Sequence, residues 1–154
     1  MRKHQFESDP IPESVHEAIG RAEKLAEQRV WGRAHQILSG VVDELEGMGV
    51  ESHYVLWLLA VACDSSGSLE DAVANIGRAR ATDLANSRAL QSEQIILGHV
   101  YTLLDVAGPN DPEVLSLIET VRQNFPASHP GLRQIEEKLA EGATADSGQH
   151  RAVA

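Results

Sequence analysis

Apolar residues recur along this chain at helical spacing, and the places where two helices would cross hold alanine or glycine. In the stretch GSLEDAVANIGRARATDLANS, residues 67–87, Ala72, Ile76 and Ala79 share one helical face. A helix relying on its own amphipathic face would carry leucines at such positions. Small side chains let two backbones approach closely, so this helix is expected to lie tightly against the one before it. No pair of strands with alternating polarity is evident. The expected fold class is therefore all-α: tandem antiparallel helix hairpins forming an α-solenoid of about seven helices.

Punctuation along the chain supports that count. Residues 1–11, opening MRKHQFESDP, read as a flexible arm, with Pro10 inside it and Pro12 just after it. A first helix is expected from Glu13 to about Arg29, with Ser14 and Glu17 at capping-box spacing. A second should run from Gly32 to about Glu46, stopped by Gly47 and Gly49. A third covers about Ser52 to Ser65, and Ser68 is placed to cap a fourth that fades near Thr82. The fifth is long, from about Ser87 to Val106. AGPNDPE then breaks the chain, with Asp111 as N-cap and Pro112 as first helical residue of a sixth helix ending near Asn124. FPASHPG is the next break, and a seventh helix follows to about Glu141. The helical repeat region is thus 12–142, and 143–154, small and polar, is expected to be disordered.

Composition narrows the partner. The 154 residues carry 23 acidic and 13 basic side chains, a formal net charge of −10. Clustered Lys and Arg are what phosphate contacts need, so no nucleic-acid partner is expected. Docking on an anionic membrane is disfavoured for the same reason, and the longest apolar run, Val55 to Cys63, is too short to span a bilayer. With one cysteine, Cys63, no internal disulfide or multi-cysteine metal site can form. The N-terminus lacks the apolar run of a secretory leader, and a cytoplasmic location is expected. Aromatic residues make up only 4 %, so the core is expected to be aliphatic and alanine-rich.

A repeat is visible within this layout. Leu56, Leu59, Ala60 and Cys63 are followed by Ala72, Ile76, Ala79 and Leu84. A second copy holds Leu97, Gly98 and Tyr101 in LGHVY, then Val114, Ile118, Val121 and Pro126. A weaker copy precedes both: Ala22 and Leu25, then WGRAHQIL with Ala34 and Leu38. The pattern resembles the tetratricopeptide repeat (TPR), in three copies over residues 14–141, with HPGLRQIEEKLAE as a capping helix. Arg21, Leu59 and Leu97 stand in equivalent places at a 38-residue interval, against about 34 in that family. Arg21 replaces an expected leucine. A general α-hairpin array of the HEAT kind remains the alternative.

The resemblance implies a concave face lined by the first helix of each pair. On that alignment the partner-binding groove comprises Ile19, Glu23 and Ala26, then Tyr54, Trp57, Val61 and Asp64, then Ile95, His99 and Thr102. Trp57 is the expected anchor for a guest, with packing inside the fold as its alternative. Family members that grip a C-terminal carboxylate use Lys, Arg and Asn on these helices. Here Ile19, Trp57, Val61 and Ile95 occupy those places, which implies a more apolar groove. None of the seven histidines pairs with another at metal-ligand spacing, so no metal and no cofactor are expected. Cys63 reads as an inert core thiol, Trp31 as a plug at a hairpin turn, and Asp43, Glu44 and Glu46 as a solvated face. No nucleophile elbow, phosphate loop or dinucleotide fingerprint occurs, and catalysis is not expected.

The expected role is a protein–protein interaction adaptor or scaffold, holding a peptide or another protein in the groove. The layout is also similar to small three-repeat chaperones of bacterial secretion systems. The alternative is a self-association or assembly subunit, such as a homodimer, with the groove filled by the arm around Phe6.

Overall fold

A computed structural model describes residues 11–84 and 86–153. The arm expected over 1–11 lies outside these apart from Ile11, which packs against the core. Among the described residues there are seven helices and no strand. They are α1 (Glu13–Glu27), α2 (Trp31–Gly47), α3 (His53–Ser65), α4 (Leu69–Thr82), α5 (Ser87–Ala107), α6 (Pro112–Asn124) and α7 (Pro130–Val153).

Three turns close the same way. At Arg29, Gly49 and Gly67 the backbone takes φ of 61°, 73° and 90°. The next N–H then reaches back five residues: Val30 to the Leu25 carbonyl, Val50 to Leu45 and Ser68 to Cys63, each within 2.9 Å. This is the left-handed helix closure that satisfies otherwise orphaned carbonyls. Gly49 performs it after α2, while Gly47, expected as a stop, is that helix's last residue. Starts are less uniform. Ser52, Asn86 and Asp111 each accept backbone N–H groups from the first turn. Ser68 makes no such bond, because its ψ of 71° departs from the extended value that aims a capping side chain. The Ser14–Glu17 capping box does not form either. Pro12 (φ −57°) precedes the helix and offers its carbonyl to Val15 and His16, which leaves Ser14 inside α1.

One expected boundary shifts. The last helix does not end near Glu141; it continues to Val153, so the segment 143–153, expected to be disordered, is helical. Ala140, Ala143 and Ala145 are strong helix formers, and no proline follows Pro130 to stop the run.

Each of the first five helices packs on its successor, and the helices also form two rows. In the odd-numbered row, the Tyr54 hydroxyl on α3 donates to Glu23 on α1, and the Trp57 indole donates to Ser92 on α5. His129, at the start of α7, meets Glu93 on α5. In the even-numbered row, Arg78 on α4 binds Glu46 on α2, and Thr120 on α6 binds Glu70 on α4. The rows enclose an aliphatic core in which Ala22, Ala34, Ala60, Ala62, Ala72 and Ala79 are fully buried. Alternating short connections and two packed rows make a solenoid-like array, the expected all-α architecture.

Two helical glycines have opposite surroundings. Gly77 is the tightest crossing: a Cβ there would sit 2.7 Å from the Asn124 Cβ, so α6 lies directly on α4. Gly98, expected at a crossing, is instead exposed, and a Cβ there would meet nothing within 4 Å. In the first copy Ala22, rather than Arg21, turns inward; Arg21 is exposed.

Candidate functional site

The residues expected to line a groove fall on adjoining odd-numbered helices: α1 carries Ile19, Glu23 and Ala26, α3 carries Tyr54, Trp57, Val61 and Asp64, and α5 carries Ile95, His99 and Thr102. Several of them engage one another. The Tyr54 hydroxyl donates to Glu23 Oε2 at 2.5 Å, and burial, reinforced by Glu23, holds its pKa up at about 12. The Tyr54 and Trp57 rings lie 5.7 Å apart. Trp57 Nε1 donates to Ser92 Oγ at 2.8 Å, and the Arg88 guanidinium covers its ring at 4.9 Å. His99 Nδ1 donates to Asp64 Oδ1 at 2.8 Å.

This ladder alters the expected role of Trp57. Its N–H is satisfied inside the fold and one ring face is occupied by a cation. It staples α3 to α5, and none of the cavities described below reaches it. Ile19, Ala26 and Val61 are half-buried. Ile95, by contrast, is 52 % exposed, and His99 and Thr102 are exposed beside it. Thr102 returns its hydroxyl to the Gly98 carbonyl. The open part of the expected face is therefore Ile95, His99 and Thr102, which with the exposed Gln94 and Gly98 beside them form the outer strip of α5.

That strip borders a cavity of about 770 Å³ between α5 and α7. Its walls include Gln94, Gly98 and Tyr101 from α5 and Gln134, Glu137 and Glu141 from α7. Arg80, Glu93 and His129 form its inner end. A smaller cleft of about 350 Å³ lies between α2 and α4, with Asp43, Glu46, Asp71 and Arg78 among its residues. Glu46 there binds Arg78 at 2.6 Å in an exposed ion pair, as befits a solvated face.

Sequence reasoning missed the inner end. Gly98 and Tyr101, expected inside the packing, line the cavity instead, because α7 rests on Leu97: a Cβ on Gly131 would lie 2.8 Å from its Cδ1. Glu93 is 3 % exposed. It occupies the buried face of α5 with Ala89, Ile96, Leu97 and Val100. A lone carboxylate at that periodic place was the readable signal. The His129 ring lies 4.9 Å from that of Phe125, tilted by 57°, and is also buried.

The tautomer of His129 follows from its partners. The Gly131 N–H donates to Nδ1 at 3.0 Å, so Nδ1 is the acceptor. Nε2 therefore carries the proton and donates to Glu93 Oε1 at 2.6 Å. Glu93 Oε2 is left buried without a hydrogen bond. Its nearest cation is Arg80, whose Nε stands 3.4 Å away and is also without a hydrogen-bond partner.

Nucleophile chemistry finds no support at Cys63. It is fully buried, and desolvation pushes its thiol up to about 12. Among the described residues no cluster of three His, Cys, Asp or Glu side chains is placed to hold a metal ion, and no helix is long and apolar enough to cross a membrane. No protein-family model matches the chain, and neither a curated protein nor a solved structure is detectably similar to it.

Proposed function

We propose that the protein is a cytoplasmic TPR-like adaptor, holding a peptide or protein segment along the outer strip of α5, between α3 and α7. The observation that carries this reading is the state of α5. Both its flanks are covered by neighbours, yet its middle presents a half-exposed isoleucine, a bare glycine and a large cavity alongside. An apolar anchor next to a backbone that a guest can approach closely is the combination helix- or strand-shaped guests use. The polar ladder from Glu23 to His99 serves as the rigid wall of this trough, and Ile95 replaces Trp57 as the anchor.

The reading is tested by selecting binders from a random-peptide library on the immobilised full-length protein. The selected peptides should bind wild type and fail on Gly98→Trp and Ile95→Asp, with circular dichroism unchanged, because neither position supports the core. Equal binding by both variants defeats the assignment. Sedimentation of the same proteins separates the self-association alternative: a dimer that Gly98→Trp dissolves would mean that the trough is filled by the chain's own kind.

A further inference from the structure

The chemistry of the cavity's inner end goes beyond that role, although it rests on the trough being the guest site. From the Glu93 oxygen that accepts no hydrogen bond and the charge around it, we infer that the cavity receives a cationic side chain, lysine or arginine, from the bound polypeptide.

Three observations point the same way. First, Glu93 is buried and its hydrogen bonding is incomplete: His129 saturates Oε1, while Oε2 accepts no hydrogen bond and has only a long ion pair with Arg80 at 3.4 Å. A buried carboxylate oxygen without a donor is costly, and an incoming ammonium or guanidinium would supply one. Second, the walls carry Glu137 and Glu141, both exposed, and neither forms an ion pair or hydrogen bond among the described residues. With Glu93 they set three carboxylates against the guanidinium of Arg80 and, at the Tyr101 edge, the Lys138 ammonium, which Asp105 already pairs at 2.7 Å; His129 stands as the neutral tautomer. The cavity is thus electronegative in a chain of net charge −10. Third, the Tyr101 wall already stands beside a cation: the Lys138 ammonium, held by Asp105 at 2.7 Å, lies 5.9 Å from its ring centroid. The amides of Gln94 and Gln134 add neutral polar groups along the approach. An anion, the opposite occupant, would face all three carboxylates.

Occupancy by a peptide rather than by a free amine follows from continuity. The cavity opens along the Gln94–Gly98–Tyr101 edge of α5, the same helix that presents Ile95. A chain laid on the strip can therefore place one side chain against Ile95 and another in the cavity.

The test uses the full chain and peptides from the library selection, compared among wild type, Glu93→Gln, and the double variant Glu137→Gln/Glu141→Gln. Glu93→Gln is isosteric and keeps an acceptor for His129, and the double variant is at the surface, so one of them reports even if the other misfolds. Wild-type selections should enrich Lys or Arg at one fixed position. Replacing that residue by norleucine or citrulline should weaken binding roughly tenfold or more. Glu93→Gln should erase the preference, and the double variant should lower affinity roughly threefold, less at high salt. Peptides that bind the trough with no basic preference would overturn this inference while leaving the adaptor reading intact. Failure to select any peptide would remove both. Argininamide binding as tightly as the peptides would overturn the polypeptide assignment in favour of a small-amine site.

Discussion

Gly77 and Gly98 are both helical glycines, yet their surroundings set them opposite tasks. At Gly77 an added Cβ would come within 2.7 Å of the Asn124 Cβ and 3.1 Å of its carbonyl oxygen, a backbone atom that cannot swing away. Gly77→Ala is expected to destabilise the fold by about 1–3 kcal/mol through overpacking. At Gly98 nothing lies within 4 Å, so Gly98→Ala gains helix propensity without a clash and should stabilise by about 0.5–1 kcal/mol. Urea melts of the two variants check the pair; a loss at Gly98 as large as that at Gly77 would contradict the packing described. Both glycines look alike in the sequence, since each follows an isoleucine or leucine on a helical stripe. Only the neighbour across the interface tells them apart.

The helices themselves are delimited by local chemistry that composition reveals well in some places and poorly in others. Asp111 and Pro112 behave as their types suggest: the aspartate accepts the Glu113 and Val114 N–H groups at 2.9 and 3.1 Å. Ser68 stands at an equally plausible cap position and makes no capping bond, because the left-handed turn at Gly67 swings its backbone away from the extended geometry. Asp111→Ala should therefore cost about 1 kcal/mol, whereas Ser68→Ala should stay within about 0.5 kcal/mol of wild type. Thermal melts of both variants measure the difference, and similar losses in the two would show that Ser68 caps in solution. The run of α7 past Glu141 belongs to this scale as well. Alanine content favours it, while the glycines and polar residues suggested disorder, and the two local signals conflict.

Across the whole molecule, the links between alternate helices hold the two rows in register. Trp57 contributes to the odd-numbered row through its bond to Ser92 and its contact with Arg88. Trp57→Ala should remove that staple and destabilise by about 2–3 kcal/mol, a part of the cost of truncating a fully buried tryptophan. Guest binding by the variant that remains folded should be reduced far less than by Ile95→Asp. Chemical denaturation combined with peptide binding separates these effects. Intact stability with lost binding would restore Trp57 as the guest's anchor. At this scale the expected groove is partly rearranged. Its wall coincides with residues 23 to 64 of the odd-numbered helices, but its open floor moves onto α5 and its cavity lies against α7.

Local signals along the chain specify the helical class, the number of helices, most of their ends and the hairpin order. These depend on periodicity, caps and breakers, which act over three or four neighbouring residues. The sequence also places the expected groove residues on adjoining helices, because the repeat interval carries that information. Long-range packing is what leaves Gly98 and Tyr101 facing open space, spends Trp57 on Ser92 and Arg88, and brings Glu93, His129 and Arg80 together. Those outcomes turn on how far α7 stands from α5 and how each helix is rotated about its axis. A rotation of a few tens of degrees, set by contacts between residues thirty or more positions apart, exchanges a buried side chain for an exposed one.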